Sequence, residues 1–324
     1  MRGKMKTPFL ERGIPVSRIT TTFGRSALGA ALVGVAVLAA ACGSSSSTPA
    51  TTTTTIPSKA IPVQSKDAAI AALVPSSVAM TGQLTQAMDA TYPPDEFIAP
   101  GTTTIVGMDA DLGTAIAQVL GLKPVLQNVT FGSIIAGLQA GKYDIGNSSF
   151  TDTLARQQSV NFVDYFTAGE AFYVKKGSGM SFNGLKSLCG HTVAVETGTV
   201  EQTDSQAASL ACKKAGHKAV TTLSFADQNS VNLAVASGRA DVGFADSQVA
   251  GYVVAQSGGE FMLTGTAFNV APYGIAVPKG STLDVAIQAA MKKLVSNGIY
   301  AEILKKWGTE SGSVSSITIN GATS

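Results

Sequence analysis

Histidine, cysteine and tryptophan are scarce in this chain of 324 residues, which has two His, three Cys and one Trp. His191 and His217 stand in no ligand spacing with each other or with the cysteines, so a zinc centre is excluded. The hydrolase signatures G-x-S-x-G and H-E-x-x-H are missing. The stretch "GSGMSFNG" (177–184) lacks both the glycine spacing and the strand–helix setting of a nucleotide loop. No metal and no cofactor is expected. The apolar run "ALGAALVGVAVLAAA" (27–41) has 15 residues, whereas a membrane-spanning helix needs about 20.

That run suits a secretory signal instead. Arg2, Lys4, Lys6, Arg12, Arg18 and Arg25 precede it, relieved only by Glu11, and Cys42 follows it. "LAAAC" resembles a bacterial lipobox, which implies cleavage of residues 1–41 and a lipid on Cys42 at the outer face of the cytoplasmic membrane. The alternatives are an ordinary exported protein or an uncleaved anchor. Of 23 basic and 21 acidic residues, the first 41 positions carry six and one, leaving 17 against 20 and a net charge of −3. The basic balance belongs to the targeting segment, and no nucleic-acid partner is implied. Residues 42–66, rich in Ser, Thr and Pro, read as a tether. In an exported chain the remaining pair, Cys189 and Cys212, is expected as a disulfide.

From residue 67 onward, short β-rich runs alternate with amphipathic helical patterns, which predicts an α/β fold. "DADLGTAIAQVLG" (109–121), "FGSIIAGLQAGKY" (131–143) and "VEQTDSQAASLACKKAG" (200–216) read as helices, and "LTQAMDA" (84–90), "AFYVKKG" (171–177) and "HTVAVETG" (191–198) as strands. "LQAGKYDIGNSS" (138–149) is echoed by "AVASGRADVGFADS" (234–247), which suggests two similarly built lobes. In open α/β sheets, ligands sit at the carboxyl ends of strands. Ser148, Ser149 and Asp246 fall at such ends.

The side chains near those ends are complementary to one small molecule. Thr151 is a candidate N-cap for a helix "DTLARQQS", whose free N–H groups would favour an anion, and Arg156 adds a fork for a carboxylate. The competing reading is a surface arginine paired with Asp152 or Asp164. "TGTVEQ" (197–202) sets a second glycine turn at a helix start. Asp246 ends an apolar strand and requires a cation. A cationic fork for a carboxylate, with aspartate and serine for an ammonium, describes the backbone of an α-amino acid. Tyr92 and Phe131 are either walls for its side chain or ordinary core.

With "DATYPPDEF" (89–97), "VGMDADLGTAIAQVLGL" (106–122), the run from Phe131 to Phe166, "TVAVETGTVEQ" (192–202), "SGRADVGFADS" (237–247) and "NGIYAEILKKWG" (297–308), the chain resembles the polar-amino-acid substrate-binding proteins of ABC transporters. The resemblance implies the two-lobed clamshell of type 2 periplasmic binding proteins. Lobe 1 would comprise 67–175 and 274–308, lobe 2 would comprise 176–273, two strands would cross the hinge, and 309–324 would be a flexible tail. It further implies that Arg156 and the Thr151 backbone hold the α-carboxylate and that Ser149 and Asp246 take the α-ammonium. Tyr92 and Phe131 would pack on the side chain, Ser148 would line the pocket, and Gly198 and Thr199 would form the second-lobe turn. Val200 stands where many relatives have a second threonine, which removes one hydroxyl from the carboxylate site, worth about 1 kcal/mol.

Asp89 and Glu196 occupy the positions that in relatives meet the far end of the substrate. Two acids there favour arginine, lysine or ornithine, with glutamine as the runner-up. The implied partners are a free polar amino acid and an ABC permease, with the protein a monomer and not an enzyme. The rival reading is a secreted dehydratase of the prephenate or arogenate type on the same fold, with Glu196 as general acid or base.

Overall fold

Strand-forming segments rich in Val, Phe and Ala alternate with helices whose apolar residues recur at three- and four-residue spacing, and this alternation builds two α/β lobes. The computed structural model describes residues 56–323. The proposed signal segment, Cys42 and most of the tether lie outside these residues. Of the tether's described end, Ile56 and Ile61 pack against the lobe 1 core, and Gln64 donates its backbone N–H to Gln118. Among the described residues no helix is long and apolar enough to cross a membrane.

In lobe 1, the helical turns α1 (Ala68–Ala71) and α2 (Ser76–Ala79) lead into β1 (Gln83–Met88). A small antiparallel sheet of β2 (Thr91–Tyr92), β3 (Glu96–Ile98) and β4 (Ile105–Val106) follows. Then come α3 (Met108–Leu120), β5 (Lys123–Asn128), α4 (Ile134–Gln139) and β6 (Ile145–Gly146). The chain crosses to lobe 2 on β7 (Val160–Lys175). There it builds β8 (Thr192–Glu196), α5 (Val200–Lys214), β9 (Thr221–Phe225), α6 (Gln228–Ala236), β10 (Val242–Asp246) and α7 (Ser247–Gln256). It returns on β11 (Phe261–Pro278) and closes lobe 1 with α8 (Leu283–Ser296), α9 (Ile299–Trp307) and β12 (Ser313–Ile319).

The main sheet runs β5-β1-β6-β11-β7-β10-β8-β9. β7 and β11 are antiparallel partners along nearly their whole length and join the two lobes through one hydrogen-bonded ladder. Their register slips between Thr264 and Phe268, again before Ala271, and again at Gly274, so the ladder is irregular where it passes between the lobes. Both strands begin about ten residues before the stretches expected at 171–177 and 271–277. Polar residues such as Asp164 and Glu170 interrupt the apolar pattern of β7, yet both are buried and hydrogen-bonded.

Helices cover both faces of the lobe 1 sheet. Leu112, Ile116, Ile287, Leu294, Ile303 and Trp307 form the core on one face; Ile134, Leu138, Phe150 and Phe162 form it on the other. In lobe 2, Val193, Val195, Phe172 and Phe244 pack with Ala208 and Cys212 of α5. The expected disulfide joins Cys189 to Cys212.

Two expectations fail here. The helix expected after Thr151 does not form. Thr151 bridges to Tyr273, and Asp152 donates its N–H to Pro272 O at 2.8 Å, which ties this backbone to β11. Only a turn and the 3-10 segment Arg156–Gln158 follow, with Thr153 rather than Thr151 accepting from the Arg156 N–H. The segment expected to be a flexible tail is instead largely ordered as β12 on the edge of β7. Ile317 is buried, and Thr318 Oγ1 and the Gly321 N–H each donate to Asp164 Oδ2 at 2.8 Å. Ile317 and Ile319, two apart on the strand, together with Val314 beyond a register shift, pack against the lobe 1 core and account for the pairing along a free strand edge.

The Cys189–Cys212 bond closes a separation of 23 residues. Replacing both cysteines by serine is expected to cost about 3 kcal/mol in denaturant unfolding. A change below 1 kcal/mol would deny the bond that role.

Candidate ligand-binding site

Strand ends from both lobes converge on one cavity. Lobe 1 supplies Asp89 just after β1, Tyr92 from β2, Phe131 ahead of α4, and Ser148, Ser149, Thr151 and Arg156 beyond β6. Lobe 2 supplies Glu196 at the end of β8, Thr199, Val200 and Glu201 at the start of α5, and Asp246 at the end of β10. Gly198 is absent from the cavity lining, but its carbonyl accepts from Arg156 Nη2 at 2.9 Å. The lobes touch across the cleft. Tyr92 Oη donates to Asp246 Oδ2 at 2.6 Å, and Gln248 Nε2 donates to Asp95 Oδ2 at 2.8 Å. Gly198, at φ +89°, lies so close that an added Cβ would stand 2.8 Å from the Cα of Gly132.

Arg156 is built in, which rules out the free-surface reading. Nη1 donates to Thr151 O at 2.7 Å, and the guanidinium carbon lies 5.4 Å from the ring centres of both Phe131 and Phe150. Neither suggested partner pairs with it: Asp152 accepts from Gln157 and Ala322, and Asp164 from Thr318 and Gly321. Burial lowers the guanidinium's pKa, and the nearby charges of Glu201 and Asp246 act in the opposite direction. Opposite it, Thr199 caps α5 by accepting from the Gln202 N–H at 3.2 Å, while Gln202 Oε1 accepts from the Gly198 N–H at 2.8 Å. The first N–H groups of a helix have no intrahelical partner, so the start of α5 adds donors beside Arg156. Of the two helix starts expected to favour an anion, only that of α5 forms, because the helix after Thr151 is missing.

The rest of the cavity is acidic. Asp89 accepts from Thr91 Oγ1 at 2.7 Å and from the Phe131 N–H at 2.8 Å, and Glu196 of the other lobe lines the same cavity. Burial raises the pKa of both, that of Glu196 strongly. Burial also pushes Asp246 up to about 6, against the pull of Tyr92, Tyr273 and Arg156. Glu201, which the sequence reading did not select, is 1% exposed and stands beside Asp246 and Glu170. An acid in the first turn of a helix is ordinary complement to the helix dipole, so nothing in the pattern marked it.

Phe131 stacks on Phe150 at 4.4 Å, and Tyr92 has its hydroxyl fixed to Asp246, so both walls are rigid. Behind them, Ser148 Oγ donates to Glu96 Oε1 at 2.6 Å and accepts from the Asp89 N–H at 2.9 Å. Ser149, at φ +48°, gives its N–H to Asp109 Oδ2 at 2.8 Å and its hydroxyl to Asp95 Oδ2 at 3.0 Å. The Ser149 hydroxyl thus keeps only acceptor capacity for a ligand. Asp95, Glu96 and Asp109 are fully buried together, another group absent from the sequence reading.

These acids set a pH dependence. Asp109, Asp164 and Asp246 rise from 3.8 to about 6, and Glu170 from 4.5 to about 8, each chiefly by burial. A raised folded-state pKa means that the native state binds more protons than the unfolded chain, so stability is greatest below pH 4 for these groups and is lost as pH rises to about 8. The ligand-free protein is expected to unfold at lower urea concentration at pH 8 than at pH 5. The opposite order would contradict the burial of these carboxyls as acids.

Comparison with known proteins agrees with this architecture. The model of the bacterial extracellular solute-binding proteins, family 3, matches residues 84–310. The arginine-binding protein ArgT of Corynebacterium glutamicum is 34% identical over 252 residues, 78% of this chain and 82% of that protein. The ABC transporter glutamine-binding protein GlnH of Bacillus subtilis is 34% identical over 213 residues, 64% and 74% of the two chains. Among solved structures, the ancestral amino acid-binding protein AncCDT-1, a precursor of cyclohexadienyl dehydratase, superposes with a TM-score of 0.63 at 30% identity, covering 71% of this chain and 97% of its own. The chain is a member of family 3 of the bacterial extracellular solute-binding proteins.

Proposed function

We propose that this protein captures a free basic amino acid outside the cytoplasmic membrane and delivers it, as a lipid-anchored monomer, to an ABC importer. The observation that carries the reading is the charge layout of the cleft. One guanidinium and the start of α5 form an anion subsite, Asp246 faces it, and the Asp89–Glu196 pair lies apart as a second acidic subsite. Carboxylate, α-ammonium and a second cation on one small molecule meet all three. A glutamine side chain would meet the second acidic subsite with an uncharged amide, which leaves buried acid less well compensated. The arginine- and glutamine-binding relatives support the class of ligand. They lend no support to the dehydratase alternative.

Transport requires the cleft to open, and β7 and β11, with their irregular register between the lobes, are the strands on which lobe 2 would swing. Val200 offers no hydroxyl, so the carboxylate would rely on Arg156 and the N–H groups of α5.

Thermal unfolding against a panel of amino acids tests the reading. At a hundredfold excess over Kd, a true ligand adds about 2.7 kcal/mol, and arginine, lysine or ornithine should shift the transition more than glutamine, citrulline or glutamate. Arg156→Ala and Asp246→Asn should each weaken binding by about a hundredfold, the cost of stranding a buried charge. A response to glutamine alone would transfer the assignment to that ligand. No response to any amino acid by protein stripped of copurified ligand would end the transport reading.

A further inference from the structure

We propose that Glu201 is a further ligand-binding residue, which with Asp246 forms a proton-sharing carboxyl pair, so that the cleft takes up a dibasic amino acid by exchanging two protons for two cationic groups. The inference rests on the amino-acid reading above and adds to it the residue at the α-amino end and the class of exchange.

The geometry repeats itself at two points of the cavity. Glu201 is 1% exposed, lines the cavity together with Asp246, whose charge acts on it, and its Oε1 has no partner. Glu196 is 2% exposed, lines the cavity together with Asp89, whose charge acts on it, and its Oε1 has no partner either. Glu201 on α5 faces Asp246 of β10, Glu170 of β7, Tyr92 of β2 and Arg156. Tyr273 of β11 stands on the other side of Asp246. Glu196 on β8 faces Asp89, Asp227 and Glu201. Among these groups Arg156 is the one cation, and Thr151 and Gly198 already hold it.

Two neighbouring carboxyls buried in one cavity do not readily both ionise without a cation, so each pair retains one proton. Burial favours the neutral form at all four carboxyls, most strongly at Glu196 and Glu201, and each proton belongs to its pair. Dipole complementation does not explain Glu201, because that effect serves an ionised, solvated acid. An arriving α-ammonium brings three N–H donors and one positive charge to Asp246 and Glu201. The proton of that pair then passes to the buffer, and the unpartnered oxygen of Glu201 gains a donor. A guanidinium or ammonium at the Asp89–Glu196 pair does the same there. At each carboxyl pair one positive charge enters and one proton leaves, so the charge of the pair is conserved, and the ligand's carboxylate adds one negative charge beside Arg156. An uncharged side chain displaces only the first proton.

Calorimetric titration at pH 6 in two buffers of different ionisation enthalpy counts the protons. L-Arginine should release about two and L-citrulline about one. Glu201→Gln, which keeps side-chain shape, should lower both counts by about one; Glu196→Gln should lower the count for arginine alone. Arginine that binds without releasing protons, or a Glu201→Gln count equal to that of the unaltered protein, would overturn the proposal while the transport reading stands. Absence of binding by either amino acid would overturn both. The comparison of arginine with citrulline on the unaltered protein decides the matter even if a variant fails to fold.

Discussion

A single guanidinium shares the cleft with four carboxyls, and this imbalance governs how the site is built. Arg156 is held by two carbonyls, one from each lobe, and lies over two stacked phenyl rings. Among the described residues no carboxylate forms an ion pair with it, and Nη1 and Nη2 donate to Thr151 O and Gly198 O. The acids in turn are compensated by hydroxyls, N–H groups and one another. Charges separated in this way inside a buried cavity are costly. They become favourable when a molecule with matching charges bridges them.

The same imbalance couples binding to lobe closure. Asp89 belongs to lobe 1 and Glu196 to lobe 2; Arg156 reaches across to Gly198, and Tyr92 to Asp246. Part of the charge compensation is thus divided between the lobes. An open cleft would return these groups to water, where pairing is worth little. A closed cleft makes pairing decisive. The approach of Gly132 to Gly198 shows how near the walls come, since neither position has room for a side chain to hold them apart.

Much of this was legible in the sequence. Helical spacing and strand runs located most elements, and the placement of Arg156, Asp246, Ser148 and Ser149 after strands brought them to one cavity, as the topology of open sheets requires. The failures have physical causes. Thr153, not Thr151, caps the turn before Arg156, because the Thr151 backbone is already paired with β11, and local propensity carries no record of a strand 120 residues away. β12 escaped notice because its alternation is weak and gains its meaning only against the open edge of β7. Asp164 was offered as a partner for Arg156, yet its carboxylate is what fastens β12.

Glu201 is the most instructive miss. Val200 drew attention because it removes a hydroxyl from the anion subsite. The residue after it resembled a routine first-turn acid, yet α5 begins where β8 delivers the chain into the cleft, and position 201 therefore turns inward beside Asp246. The consequence is a cleft whose α-amino end carries one more carboxyl than an amino acid backbone strictly needs. Such an excess is tolerable only while a proton or a cation is shared there. A site furnished in this way discriminates by charge before it discriminates by shape. Under the proposed exchange, a neutral ligand of the right size would fill the same volume but leave the far pair holding its proton, whereas a dibasic ligand would replace protons at both points and fix both lobes through full charges.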